Sequence, residues 1–135
     1  QGLRVLDEDT CWRLVESADV GRVGFTFEER PHVLPVNHRV VDRSVVFRTA
    51  PGSKLDVAIA RRRVVLEVDD WSSEHRAGWS VLVHGVAAPV AAGPRAEELE
   101  ALALEPWADE AERMHWIRIR PDEITGRATP PKPGN

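Results

Sequence analysis

The constraint that narrows this chain most is how its Val, Ile, Phe and Trp residues fall: in short runs, each stopped by turn formers. Runs of that kind read as strands. Val20-Gly21-Arg22-Val23-Gly24-Phe25-Thr26-Phe27 is one, ended by Glu28-Glu29-Arg30-Pro31. A second, His32 to Val41, leads through Asp42-Arg43-Ser44 to a third, Val45 to Thr49, and a three-residue connection suits a hairpin. Val64 to Val68 is apolar except for Glu67 and reads as a buried central strand, followed by a polar loop from Asp69 to Gly78. Trp79 to Val90 is a long strand, apolar on both faces as inside a barrel. Met114 to Arg120 is a sixth strand, which Ile124-Thr125-Gly126 extends.

Three stretches carry a helical pattern instead. Leu6 to Ala18 shows an apolar stripe with Asp7 or Asp9 as cap, and Lys54 to Ala60 is a short helix that the Ser53 hydroxyl is placed to cap. Pro94 to Leu104 keeps Glu97, Glu98 and Glu100 on its wet side. The outline is mainly β, of the α+β class, with two or three peripheral helices around a barrel. At 135 residues a chain has room for one domain and buries roughly two thirds of its unfolded surface, enough for an unstapled core. Cys11 is the one cysteine, which excludes an internal disulfide and any multi-cysteine metal site. A net charge of −4 speaks against a nucleic-acid partner. No apolar run approaches the roughly 20 residues that span a bilayer, and no secretory signal pattern opens the chain. These features predict a soluble, cytoplasmic domain over residues 3–127. Gln1-Gly2 reads as the remnant of a cleavable tag, and the proline-rich segment 128–135 as a disordered tail.

Chemistry concentrates in Arg48-Thr49-Ala50-Pro51-Gly52-Ser53-Lys54. A strand delivers Arg48 and Thr49 to a Pro-Gly turn that opens directly into a helix start. Two hydroxyls, two cations and free backbone N–H groups then converge, which suits a phosphate. The plain alternative is a capped helix with two solvated cations. Trp79, at the mouth of a strand, is placed to cover a planar ligand or to seal an interface. Pro35-Val36-Asn37-His38 lies in a strand where the proline interrupts the ladder, leaving backbone groups able to read a polar heterocycle, or marking a simple edge.

Other chemistries find no constellation. His32 and His38 share a strand face but lie roughly 20 Å apart, too far for one ion. His75, His84 and His115 show no ligand spacing, and neither HExxH nor GxSxG occurs, so no metal site is expected. The triplet Arg61-Arg62-Arg63 reads as a solvated helix terminus or as a reach across an interface. A phosphate cradle and an aromatic lid without acid–base machinery fit a protein whose cofactor carries the reactive chemistry.

Cys11-Trp12-Arg13-Leu14, Val20-Gly21-Arg22-Val23-Gly24, Pro35-Val36-Asn37, Phe47 to Lys54, Glu67-Val68-Asp69, Gly78-Trp79-Ser80-Val81 and Ile124-Thr125-Gly126-Arg127 follow one another in order. This series resembles the FMN-binding split-barrel family related to pyridoxamine 5′-phosphate oxidase. Within it, the series is similar to the short branch of flavin-nucleotide-binding and nitroimidazole-resistance-like proteins. The resemblance implies a six-stranded split β-barrel that forms a homodimer, with FMN in the grooves between subunits. It implies that Arg48, Thr49, Ser53 and Lys54 bind the phosphate. It also implies that Val36, Asn37 and His38 lie along the isoalloxazine ring, and that Trp79 and Ser80 approach the flavin, in many members from the second subunit. His38, the one titratable side chain among the ring-contacting candidates Val36, Asn37, His38 and Ser80, is the candidate proton donor, with a surface histidine as its alternative. True pyridoxamine 5′-phosphate oxidases carry a C-terminal segment bearing arginine and histidine, and this chain instead ends Thr125-Gly126-Arg127-Ala128-Thr129-Pro130-Pro131 ahead of its last four residues. The resemblance thus leaves two function classes: a flavin-dependent oxidoreductase acting on a small organic substrate, with FMN or a deazaflavin coenzyme, and a non-catalytic flavin-binding or redox-responsive module.

Overall fold

Period-two alternation decides the architecture. In this computed structural model, which describes residues 2–91, 93–101 and 115–130, the chain runs β1 (Arg4–Val5), α1 (Glu8–Ser17), β2 (Val20–Phe27), β3 (Arg30–Val41), β4 (Ser44–Thr49), α2 (Lys54–Ile59), β5 (Arg62–Ser72), β6 (Ala77–Pro89), α3 (Pro94–Glu100) and β7 (His115–Ala128). Along β2, Gly21, Val23 and Phe25 are buried while Arg22 and Thr26 face water, as a strand with one wet face requires. All pairings are antiparallel, in the order β1-β7-β4-β3-β2-β5-β6. The last strand then pairs back onto β7, from Trp79 opposite Ala128 to Pro89 opposite Ile117. That return closes the sheet into a barrel and removes its two long edges.

The interior is filled by Val23, Phe47, Leu66, Val81, Ile117 and Ile119, and α1 and α2 pack against it through Trp12, Val15, Leu55 and Ile59. A smaller cluster of Val46, Leu99 and Trp116 lies on the outside of the sheet, under α3. Helix α1 starts at Asp7, whose Oδ1 accepts the Thr10 N–H at 2.8 Å. Among the described residues no helix is long and apolar enough to cross a membrane.

Several boundaries differ from the sequence reading for physical reasons. The expected loop 69–78 shrinks to Ser73–Arg76, because Asp69, Asp70 and Ser72 keep their ladder pairing while Asp69 and Asp70 hold their side chains in water. The β3–β4 connection is two residues, not three: Asp42 and Arg43 both take positive φ (50° and 51°) and Val41 pairs with Ser44, the geometry of a primed hairpin turn. β6 is apolar on both faces, but only Val81, Val83, Gly85 and Ala87 are buried, and Leu82 points outward. The two-residue β1 adds a seventh strand that is too short to show a period. β7 runs to Ala128, and the Thr129 N–H donates to the Gly78 carbonyl, so paired chain continues past Arg127. Leu102 to Leu104 of the expected helix, Met114 of the expected strand, Gln1 and residues 131–135 lie outside the described residues.

His38 is corrected most. Its side chain points into the core and is 1% exposed, so it is neither a surface histidine nor within reach of a ligand outside the barrel. Its Nε2 lies 2.9 Å from the Val15 carbonyl near the end of α1. A carbonyl only accepts, so Nε2 carries the proton, and the buried Nδ1 has no partner among the described residues. Burial lowers its pKa most, the Val15 bond works against this, and Arg39 adds to the lowering. The unfolded chain therefore takes up a proton below about pH 6.5 that the folded chain refuses, and His38 makes folding weaken as pH falls, by at most about 1.4 kcal/mol per pH unit. Glu67, whose pKa is raised, acts in the opposite sense, so the comparison must be with a variant. Urea unfolding of the wild type and His38→Gln should show the wild type losing ground relative to the variant between pH 7.5 and 5. A difference that does not change with pH would contradict a neutral buried imidazole.

Candidate functional site

The turn after β4 is built by its sequence. Ala50-Pro51-Gly52-Ser53 closes with the Ser53 N–H on the Ala50 carbonyl at 3.1 Å, and Gly52 takes φ 76°. Proline at the second position and a positive-φ glycine at the third are what a type II turn demands. Ser53 then caps α2, its Oγ accepting the Asp56 N–H at 3.1 Å. The Asp56 carboxylate reaches back to the Gly52 N–H at 2.8 Å. Asp56 was absent from the sequence reading, although Ser53-Lys54-Leu55-Asp56 carries the capping-box spacing that signals it.

Thr49 Oγ1 and Ser53 Oγ sit 3.1 Å apart. One bond joins two hydroxyls, so one hydroxyl hydrogen of the pair is left for an outside acceptor. The N–H groups of Lys54 and Leu55, in the first turn of α2, have no partner within the helix. Lys54 is exposed, and its Nζ stands 5.9 Å over the Phe27 ring. Among the described residues no carboxylate lies within ion-pair distance of it. The turn thus offers a spare hydroxyl hydrogen, backbone donors and an uncompensated cation.

The remaining expected residues divide. Asn37 points outward, on the face of the sheet that carries Arg48, while its neighbours Val36 and His38 are buried. Arg48 is only 14% exposed and turns toward the end of α3. It lies 3.7 Å from Glu100 and 5.3 Å over the Trp116 ring, and its buried Nε has no hydrogen-bond partner among the described residues. The Trp116 indole N–H also donates to Glu100, at 2.7 Å. Trp79 packs against the core from the start of β6, and Ser80 follows it on the outer face. β4 and β6 flank the same strand, β7, but Thr49 pairs with His115 at its start while Ser80 pairs with Arg127 and Trp79 with Ala128 at its end, so nearly the whole length of β7 lies between them. One chain therefore brings Thr49, Ser53 and Lys54 together at the turn, leaves Asn37 and Arg48 on the outer face of the sheet, and keeps Trp79 and Ser80 apart from all of them.

One feature of the outer face escaped the sequence reading. Glu67 on β5 is bridged to Arg22 at 3.0 Å, and the same guanidinium reaches Asp69 at 3.3 Å. Burial first, then the Asp69 hydrogen bond and charge, push the Glu67 carboxyl up to about 7, against the pull of Arg22. Alternation places all three on one face of paired strands, which only the register reveals.

Comparison with known proteins agrees with this geometry. A protein of Mycobacterium tuberculosis, the uncharacterized Rv0080, is 38% identical over 126 residues, covering 90% of this chain and 82% of its own length. Among solved structures, the FAD binding protein from Mycobacterium smegmatis superposes with a TM-score of 0.82 at 38% identity, covering 96% of this chain and 100% of that one. The conserved protein DIP1874 from Corynebacterium diphtheriae, of unknown function, gives 0.80 at 28% identity, with 96% and 100% covered. The profile of pyridoxamine 5′-phosphate oxidase matches residues 7–128. With that match running from the cap of α1 to the last residue of β7, the chain belongs to the pyridoxamine 5′-phosphate oxidase family of split-barrel proteins.

Proposed function

We propose that this protein binds a flavin nucleotide, with the 5′-phosphate seated on the turn between β4 and α2, and works as a flavin-dependent oxidoreductase on a small organic substrate. The observation that carries this reading is the Thr49–Ser53 hydroxyl pair beside the uncompensated Lys54. The 38% identical Mycobacterium smegmatis protein, which is an FAD binding protein, supports it. FMN and FAD share the riboflavin 5′-phosphate, so the same turn serves either. When bound, the flavin supplies the electron or hydride transfer at its ring. The chain's own residues hold the phosphate: the hydroxyl pair and first-turn N–H groups donate to its oxygens, and Lys54 balances its charge. Asn37 and Arg48 lie on the adjoining outer face, where they orient what extends from the phosphate. With Asp56 committed to the Gly52 N–H, its carboxylate is held to the turn and not left loose against the anion.

The protein acts as a homodimer in this reading. Trp71 is 60% exposed, and Leu82 and Val33 also stand on the outer face, more apolar surface than a lone barrel of this size gains from leaving wet. Ser80 and Trp79 then serve the flavin on the partner's turn, since their own lies at the opposite end of β7. Burial of His38 favours a second reading: without a titratable side chain at the ring, the protein is a flavin-binding module that does not turn over.

Titration of flavin fluorescence tests the phosphate seat. Lys54→Ala should weaken FMN by about 1.5–3 kcal/mol, ten- to a hundredfold, and leave riboflavin, which binds far more weakly, unchanged. Equal affinity of the wild type for riboflavin and FMN would remove the assignment, and FAD run alongside shows which nucleotide is preferred. Light scattering tests the assembly: the flavin-saturated protein should have twice the chain mass at micromolar concentration, and a flavin-loaded monomer would contradict the shared site. Stopped-flow reduction by nicotinamide nucleotides, followed by quinone, nitro or azo acceptors, separates oxidoreductase from module. Turnover supports the first, and a flavin that cycles with none of them establishes the second.

A further inference from the structure

Where β6 ends and α3 begins, a cavity of about 330 Å³ is lined by Arg95 of α3 and by Arg118 and Arg120 of β7, over a floor of Ala88, Pro89 and Val90. That volume falls at the lower end of ordinary small-molecule sites, roughly 300–1,000 Å³. Nε and Nη2 of Arg118 are buried and have no hydrogen-bond partner among the described residues. A guanidinium only donates, so three of its N–H bonds have given up water without an acceptor there.

The surrounding charges sharpen the imbalance. Burial, Arg95 and Arg120 all disfavour the charged Arg118, and Asp42 on the β3–β4 turn pulls the other way. The register adds a further cation: Arg63 of β5 pairs with Val86, and Val86 with Arg120. The Asp122 carboxylate, close by, is taken by Arg63 at 2.6 Å. Among the described residues, no carboxylate comes within ion-pair distance of Arg95, Arg118 or Arg120. In a chain of net charge −4, three arginines around one cavity with no ion-paired carboxylate among the described residues call for an anion from outside.

We propose that this cavity is a second anion site, separate from the β4–α2 turn, which takes a phosphate-bearing small molecule on the Arg118 fork with Arg95 and Arg120 flanking it. A phosphomonoester or diphosphate fits better than a simple carboxylate. It offers acceptor oxygens in several directions and enough charge for more than one guanidinium. The apolar floor accommodates the carbon skeleton next to the phosphate. The site stands independently of the flavin reading, because Arg48, the arginine beside the turn, faces Glu100 at the other end of α3.

Isothermal titration of the whole protein with pyrophosphate, inorganic phosphate and acetate, repeated with Lys54→Ala, tests this. Pyrophosphate should bind most tightly and acetate least. Arg118→Gln should weaken pyrophosphate at least tenfold, and Arg118→Lys should fail to restore it, since charge without the fork is not enough. Arg95 is exposed, so Arg95→Gln leaves folding untouched and should still weaken binding several-fold. Lys54→Ala should leave pyrophosphate binding in place, and Arg118→Gln should leave FMN affinity in place. No binding of any anion to the wild type would overturn the proposal. So would pyrophosphate binding that Lys54→Ala abolishes and the arginine variants spare, since the anion would then be at the turn.

Discussion

Everything in this molecule depends on β7 pairing on both sides. Val45–Thr49 of β4 lie along one edge of it and nearly all of β6 along the other, so this one strand converts an open sheet into a closed barrel. The closure requires a local concession. The register shifts between His84 and Gly85, and a Cβ at Gly85 would run into the Arg120 carbonyl and Pro121. Only a glycine lets the two backbones approach there, which is how the long strands bend enough to meet.

Closure also sorts the side chains into two populations. Inward positions fill with Val, Leu, Ile and Phe, and His38 is admitted among them as a neutral imidazole with one of its two ring nitrogens bonded, to Val15. Outward positions inherit the charge, including Arg48 over Trp116, Arg22 between Glu67 and Asp69, and the arginines at the start of α3. Ligand chemistry in such a barrel belongs outside, at strand ends and under peripheral helices. Both proposed anion sites follow that logic: one at the end of β4, the other where β6 gives way to α3.

Much of this was legible in the residues. The run from Val20 to Phe27 matches its strand at both ends, because a wet-and-dry alternation bounded by Glu28-Glu29 leaves little freedom. Ser53 as the cap of α2 followed from residue chemistry alone. The errors share one cause, which is that a single strand's sequence does not say what lies beside it. Asp69 and Asp70 looked like loop residues because they are charged, yet their backbones are paired with β6. His38 looked accessible because Pro35 suggested an edge; Pro35 does pair with β2 alone, but the His38 side chain turns inward, where β4 takes up the pairing. The Arg22–Glu67–Asp69 bridge and the Arg95–Arg118–Arg120 cavity join residues distant in sequence, and only register and burial bring them together.

The seat of the flavin phosphate is the point on which the functional account turns, and a crystal structure of the flavin-saturated protein measures it directly. The account predicts the phosphorus over the turn between β4 and α2, with an oxygen within hydrogen-bond distance of the Ser53 hydroxyl and the ring lying outside the barrel toward Asn37. A phosphate lodged elsewhere, in the Arg118 cavity or at any site away from Thr49, Ser53 and Lys54, would contradict it.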